Sequence, residues 1–165
     1  MILTPSEMDA RARYKTLIGT VLPRPIAWVS TTDGEGNQNL APFSYFTAVC
    51  GNPMTLLFCP GVLPTRDDGK KDTLRNVQAT GDFVINLTNE ETAQAMNLSA
   101  TDLPAGESEF AWAGVTPIAC EVVKAPRVAE APISYECALE RIVTISEEPG
   151  GGHAVFGTVQ RIRIR

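Results

Sequence analysis

Short segments in which hydrophobic and polar residues alternate run through most of the chain. The clearest are 140–144 and 160–164, which follow the patterns Glu140-x-Ile142-x-Thr144 and Gln160-x-Ile162-x-Ile164. A period of two is typical of half-buried antiparallel strands, and Gly and Pro turns at short intervals are typical of small barrels. The pattern predicts strands over 26–31, 39–43, 46–49, 54–58, 82–87, 118–128, 134–146 and 153–164.

Helical segments are few and short. A lead-in helix is expected from Pro5 to about residue 12, and a second over 73–80, ended by Gly81, a residue type favoured just after helices. Thr88 and Glu91 have the spacing of a capping box, which predicts a third helix over 90–98. Residues 103–114 read as a long polar loop. The predicted architecture is an antiparallel, mainly β barrel with two or three short helices.

Length and composition indicate one domain, covering 1–165, with a core of ordinary size. Hydrophobic residues make up 44% of the chain and charged residues 20%, and no apolar run approaches the length of a membrane span. The formal net charge of -5 argues against nucleic acid as a partner, because binding to phosphate backbones requires clustered Lys and Arg.

The four cysteines are far apart in the sequence, and none belongs to a Cys-x-x-Cys pair. With only one histidine, His153, the chain offers no set of metal ligands at the usual spacing, so no metal site is predicted. The N-terminal residues do not resemble a signal peptide. We therefore expect a cytoplasmic protein with reduced thiols.

Small hydroxyl residues occur where two predicted strands meet a glycine-rich turn. Ser30 and Thr31 end the first strand, the turn contains Asp33 to Gly36, and Ser44 follows the return strand. Hydroxyls and backbone amides at strand ends can bind the polar edge of a planar ligand or its phosphate group. Ordinary turn hydrogen bonding explains the same residue types, and the pattern alone leaves both interpretations open.

A basic loop leads into the second predicted helix. Lys70 and Lys71 precede Asp72 and Thr73, either of which could cap the helix N-terminus. Free amides, a hydroxyl and a lysine at one helix start form a potential anion site, although a solvated loop would have the same composition. Arg24 and Arg66 are the further cations that could bind an anionic ligand.

Six spaced motifs occur in order along the chain. They are Arg24-Pro-Ile-Ala-Trp-Val-Ser-Thr31, Asn39-Leu-Ala-Pro-Phe-Ser-Tyr-Phe46, Lys71-Asp-Thr-Leu-Arg-Asn76, Phe83-Val-Ile-Asn86, Glu136-Cys137 and His153-Ala-Val-Phe-Gly-Thr-Val159. Together these motifs resemble those of the flavin reductase-like proteins that have the FMN-binding split barrel. The resemblance covers roughly 19–159, and several motifs in the same order are specific for the family, although not for one reaction.

The resemblance implies an FMN cofactor and an NAD(P)H-dependent flavin reductase, with hydride passing from the nicotinamide to the flavin. It further implies a homodimer with the flavin at the subunit interface, and in some members a partner monooxygenase. His153 is the candidate catalytic residue, although a lone histidine is more often structural. The implied cofactor-binding residues are Ser30, Thr31, Asn39, Ala41, Pro42, Phe43, Ser44, Lys71, Asp72 and Thr73.

Two alternatives to a reductase stay open at this point. One is a flavin carrier or sensor without enzymatic activity, and the other is a protein that binds pyridoxal phosphate or haem on a related barrel. Haem would need an axial ligand, for which only His153 is available. Similar proteins usually continue beyond the strand that corresponds to 153–164 with a segment that packs near the site, and whether cofactor affinity depends on that segment stays open at this point.

Overall fold

The computed structural model describes residues 2–104 and 107–165, and its main feature is one antiparallel sheet of seven strands in the order β2-β1-β5-β8-β9-β4-β3. A separate two-stranded sheet pairs β6 with β7. The strands are β1 Ala27–Thr32, β2 Gln38–Phe43, β3 Phe46–Gly51, β4 Met54–Phe58, β5 Asp82–Asn86, β6 Pro117–Ile118, β7 Arg127–Val128, β8 Ile133–Ser146 and β9 Gly152–Ile164. The mainly β prediction is confirmed.

The helices are α1 Ala10–Thr20, α2 Asp72–Thr80, α3 Ala93–Leu98 and α4 Glu109–Ala113, with a short 3-10 turn at Pro5–Glu7. The predicted end of α2 is confirmed, since Gly81 has a φ of 74° and donates its N–H to the carbonyl of Val77. The predicted lead-in helix from Pro5 begins too early, because α1 begins at Ala10. Asp9 is its N-cap residue, and the Asp9 side chain accepts a hydrogen bond from the Ala12 amide. No described helix is long and apolar enough to span a membrane.

The predicted capping box at Thr88 and Glu91 is wrong by one residue. The reciprocal hydrogen bonds join Asn89 and Thr92: the Asn89 amide donates to Thr92 Oγ1, and the Thr92 amide donates to Asn89 Oδ1, at 3.0 and 3.1 Å. Thr92 is buried and is the residue before α3. The helix therefore starts later than 90.

The polar loop predicted over 103–114 contains α4. Phe110 is 2% exposed and packs against Trp28 and Leu40, so this contact with the sheet stabilises a five-residue helix that has little intrinsic stability. Trp112 on the same helix is 53% exposed. The predicted positions 105 and 106 lie outside the described residues.

The long strand predicted over 118–128 is also wrong, because only its two ends are strands. Side-chain carboxylates accept hydrogen bonds from the intervening backbone, where a strand neighbour would otherwise do so. Glu136 accepts from the Val122 amide at 3.2 Å, and Asp82 accepts from the amides of Lys124 and Ala125 at 3.1 and 3.2 Å. These bonds hold the segment as a loop against β5 and β8.

Strand β1 is buried on both faces, which explains its unbroken apolar and small-residue sequence. Ala27 and Val29 belong to a core with three phenylalanines, whereas Trp28, which points to the opposite face, packs with Leu40 and Phe110. In the first core, the rings of Phe43 and Phe58 and those of Phe58 and Phe83 are each 5.2 Å apart between centroids.

Gly157 allows the closest packing in this core. A Cβ at this position would lie 2.3 Å from Phe83 Cζ and 3.1 Å from Cys137 Cβ. We expect Gly157→Ala to lower the free energy of unfolding by about 1 to 3 kcal/mol, the usual cost of overpacking. Chemical denaturation measures the change. Gly34→Ala is the control, because nothing lies within 4 Å of its Cβ position, and an equal loss in both variants would contradict the packing argument.

Candidate functional site

A cleft of about 250 Å³ opens between the edge strand β2, the N-terminus of α2 and the segment that follows α3. The loop after β4 and the start of α4 close its remaining sides. Six of the sequence-predicted cofactor residues line it. The lining residues are Asn39, Ala41, Pro42, Leu63, Thr65, Arg66, Lys71, Asp72, Thr73, Ser99, Ala100, Thr101, Asp102, Leu103 and Glu109.

The N-terminus of α2 faces this cleft without a side-chain cap. Lys71 is the N-cap residue, so the prediction that Asp72 or Thr73 caps the helix is wrong. The amides of Leu74 and Arg75 donate to the Lys71 carbonyl, whereas those of Asp72 and Thr73 find no acceptor within the described part of the chain. Free amides at a helix start attract anions.

Asn39 fixes this helix start to the sheet. Its Nδ2 donates to Thr73 Oγ1 at 3.0 Å, and Thr73 is almost fully buried. One turn further along α2, Asn76 Nδ2 donates to Thr31 Oγ1, also at 3.0 Å. The two amide–hydroxyl contacts hold α2 against β1 and β2, so the orientation of its first amides is set by the sheet.

Lys71 is the cation in the cleft whose charge is not balanced by a carboxylate among residues 2–104 and 107–165. Its Nζ lies 5.8 Å from the centroid of the Phe43 ring. Arg66, by contrast, forms a forked pair with Asp72, and Lys70 donates to Gln78 at 2.9 Å.

Arg24, the fourth predicted cation, does not line the cleft. Its Nη1 donates to the carbonyls of Ile18 and Val21 at the end of α1. Since these carbonyls would otherwise lack partners, Arg24 stabilises the C-terminus of that helix.

Ser30 and Thr31 are fully buried and do not line the cleft. Ser30 Oγ donates to the Pro126 carbonyl at 2.5 Å and accepts from Asn86, and Thr31 Oγ1 accepts from Asn76. Phe43 is a core residue behind Lys71, and Ser44 is half-buried just after β2.

His153 is 5% exposed at the start of β9 and does not line the cleft. Its Nδ1 is 3.0 Å from Thr144 Oγ1, and its amide donates to the Pro60 carbonyl at 3.0 Å. A bridge between Gly61 and Gly152 reinforces the second contact. The start of β9 therefore anchors the loop that carries Leu63, Thr65 and Arg66 into the cleft.

Glu109 is a cleft residue that the sequence analysis missed, because the predicted loop hid its helix. Its Oε2 accepts from the Leu40 amide on β2 at 3.2 Å. Burial raises the pKa of this carboxyl above its ordinary value of 4.5, partly offset by backbone hydrogen bonds and assisted by the nearby charge of Asp72. Glu109 is therefore hydrogen-bonded to the free edge of β2 at Leu40, which lies between the cleft-lining residues Asn39 and Ala41.

Comparison with known proteins identifies the family. Residues 18–165 match the family described as flavin reductase like domain. The chain belongs to this flavin reductase family. The match includes the cleft, every predicted cofactor residue and His153.

Solved structures agree with the assignment. Nitrilotriacetate monooxygenase component B from Bacillus cereus is 36% identical, with a TM-score of 0.92 over 99% of this chain and 81% of that one. For 2-nitrobenzoate 2-nitroreductase from Pseudomonas fluorescens, the identity is 29%, the TM-score 0.88 and the coverage 100% and 77%.

A third structure supports the fold alone. It is a Shewanella frigidimarina protein described as a flavin reductase with a split barrel domain, 22% identical with a TM-score of 0.84 over 100% of this chain and 80% of that one. The architecture of this flavin reductase family member is the split barrel, as the sequence motifs predicted.

The raised pKa of Glu109 predicts a pH-dependent stability. A carboxyl whose folded pKa is above the unfolded value stabilises the fold below that unfolded value, and this contribution is lost as pH rises through the folded pKa. We expect Glu109→Gln, which keeps an acceptor for the Leu40 amide but does not titrate, to gain stability relative to the native chain as pH rises from below 4.5 to neutral. Thermal unfolding across this range measures the difference.

Glu90→Gln removes an exposed carboxylate and is the control. Its stability relative to the native chain should change little over the same range. If Glu109→Gln behaves in the same way as Glu90→Gln, the carboxyl is not perturbed by burial.

Proposed function

We propose that this protein binds FMN in the cleft and acts as an NAD(P)H-dependent flavin reductase. The observation that supports FMN most directly is the position of Lys71 at the start of α2, where no side chain caps the helix. These groups lie on one wall of a cleft in a chain that belongs to the flavin reductase family.

The phosphate of FMN fits the chemistry of this wall. Two free amides and the positive end of a helix dipole favour a dianion, and Lys71 adds a charge that no described carboxylate balances. The hydrogen bond from Asn39 to Thr73 fixes the helix, so the donors are oriented before a ligand binds. Because little has to be ordered on binding, more of the interaction energy contributes to affinity.

The remaining predicted residues suit the rest of the cofactor. Asn39, Ala41 and Pro42 lie on β2, an edge strand whose outward backbone groups can bind the polar edge of a ring system. Phe43 supports Lys71 from the core side, whereas Ser44, just after β2, does not line the cleft. Ser30 and Thr31 act indirectly in this proposal, by holding the strand and α2 through their buried hydroxyls.

FMN, when bound, accepts a hydride from a reduced nicotinamide at its ring and needs no protein base for that transfer. The tasks of this chain are therefore to bind the phosphate, to orient the cofactor along β2 and to leave access for the nicotinamide. Reductase assays with NADH and NADPH distinguish this activity from a flavin carrier or sensor, which would bind FMN without turnover.

We further propose that the protein is a homodimer. Helix α1 contains no buried residue, and its large apolar side chains are exposed to solvent. Tyr14 and Leu17 are 54% and 51% exposed, and Val21, just beyond the end of the helix, is 55% exposed. Their spacing places them on one helix face. Phe110 is buried within its own chain and does not belong to the contact surface, whereas Trp112 is 53% exposed and available.

The cellular setting follows as part of the same proposal. All four cysteines are free thiols, which agrees with a cytoplasmic location, where NAD(P)H is available. A partner monooxygenase is a possible consumer of the reduced flavin, since one similar structure is the B component of nitrilotriacetate monooxygenase.

The phosphate assignment predicts a selective loss of affinity. Lys71→Ala should weaken FMN binding by about 1.5 to 3 kcal/mol, the range for a charge-assisted hydrogen bond, and should change riboflavin binding little. Flavin fluorescence titration measures both constants. Lys70→Ala is the matched control, because this lysine contacts Gln78. No binding of FMN to the folded native chain would refute the proposed function, and equal losses for both ligands would remove Lys71 from the phosphate site.

The dimer proposal predicts that Leu17→Asp disrupts assembly, because it places a charge in the apolar face of α1. Light scattering should report twice the chain mass for the native protein and a monomer for this variant. Lys15→Asp, at an exposed position of the same helix, should stay dimeric. A native monomer with FMN bound would contradict an interface of this kind.

The contacts of the His153 ring predict a structural role for this side chain. Because the ring contacts Thr144 and does not line the cleft, we expect His153→Asn to lower stability modestly and to leave hydride transfer nearly unchanged at saturating FMN. Stopped-flow reduction by NADH measures the rate. A fall of about tenfold or more, equivalent to about 1.4 kcal/mol of barrier, would instead assign His153 a role in the reaction.

A further inference from the structure

A second cavity, of about 210 Å³, lies between the β6–β7 sheet and the end of β9. It is separate from the proposed flavin cleft, since the two share no lining residue. Three of the eight residues around it are arginines, and none is acidic. The lining residues are Ile118, Arg127, Ala129, Ala131, Ser134, Arg163, Ile164 and Arg165.

The arginines differ in how their charge is balanced. Arg163 is paired, because it donates to the buried Glu136 at 3.5 Å and to the exposed Glu121, which Arg161 also contacts. Arg127 is half-buried and forms no ion pair within residues 2–104 and 107–165.

Arg165 forms no ion pair within the described residues, although its charge acts on the nearby Glu130 carboxylate, and its Nη1 donates to the Glu130 carbonyl at 3.4 Å. The Glu130 carboxylate accepts from the Thr116 amide instead, at 3.2 and 3.1 Å. The cavity is therefore bordered by the guanidinium group of Arg127, whose charge no described carboxylate balances, and by that of Arg165, whose charge Glu130 balances only in part.

The cavity is also partly apolar. Ala131 is buried, and Ile118 and Ile164 at its margin are 37% and 76% exposed. The Ser134 hydroxyl is buried and donates to Asn86 at 2.9 Å, so it is not free to donate to a ligand. Guanidinium groups bind planar carboxylates in a forked geometry, and an apolar surface beside them favours a ligand with a hydrocarbon body.

We propose that this cavity, named here the arginine pocket, binds a small organic carboxylate. Arg127 and Arg165 supply the donors, and the isoleucine and alanine side chains contact the apolar part of the ligand. This site is independent of the flavin cleft, so it does not rest on the proposed function.

The test uses benzoate as the probe and benzamide as its neutral counterpart, with binding measured by calorimetry on the whole 165-residue chain. Benzoate should bind, benzamide should not, and Arg127→Gln should weaken benzoate by about fivefold or more, as expected for loss of a charge-assisted contact. Arg11→Gln, an exposed arginine on α1, is the matched control for net charge. Its affinity for benzoate should stay within about twofold of the native value.

Two further variants make the outcome decisive. Arg165→Gln, at an exposed position, replaces Arg127→Gln if that variant fails to fold. Lys71→Ala locates the probe, because loss of benzoate binding in this variant would place it in the flavin cleft and overturn the proposal. Equal binding of benzoate and benzamide, or equal affinity in the Arg127 and Arg11 variants, would overturn it as well.

Discussion

One buried side-chain amide, that of Asn86, joins four strands of this fold. Its Nδ2 donates to the Trp28 carbonyl and to Ser30 Oγ at 3.0 and 3.1 Å, and its Oδ1 accepts from the Val128 amide and from Ser134 Oγ at 3.0 and 2.9 Å. Every donor and acceptor of the amide is thereby used. An apolar residue here would leave several buried polar groups without partners, each at a cost of about 1 to 3 kcal/mol.

The hydrogen bonds of Asn86 fix the position of β1, and β1 in turn is connected to the walls of both cavities. On one side, Ser30 fixes the strand to the loop at Pro126, while Thr31 binds Asn76 and so holds α2 with its free N-terminal amides. On the other side, Val128 and Ser134 bring β7 and β8 together next to the arginine pocket. Hydroxyl residues in β1 are thus required by the fold, whatever ligand is bound.

The sequence predicted the sheet well because its strands follow local rules: alternation, turn residues and aromatic content. It failed at 118–128 and 103–114, where distant groups decide the structure. The carboxylates of Asp82 and Glu136 accept hydrogen bonds from amides that would otherwise pair with a neighbouring strand. Helix α4 forms because its Phe110 is buried against β1 and β2. Local patterns of hydrophobic, polar and turn residues do not reveal such contacts between distant segments.

The candidate site shows the same division. Lys71 and Thr73 could be selected from the sequence because a helix start is a local feature, whereas Asn39 was selected through the family resemblance, and the structure brings the three together. The assignment of Ser30 and Thr31 to direct ligand contact depended on which face of β1 meets the cleft. Both faces of that strand are buried, so residue type could not distinguish a ligand contact from an internal hydrogen bond. Glu109 escaped notice because its helix was not predicted.

Charge pairing explains how an acidic chain can hold an anion in this cleft. Asp72, Asp102 and Glu109 all line it, and three free carboxylates would repel a phosphate. Arg66 neutralises Asp72 through a forked pair, and one carboxylate oxygen of Glu109 accepts a hydrogen bond from the Leu40 amide. Arg75 pairs with Asp68 at the outer face of the same helix. At the start of α2 the acidic neighbour Asp72 is neutralised, so the local field there is set by Lys71 and the free amides, and the net charge of the whole chain does not decide what this end of the cleft binds.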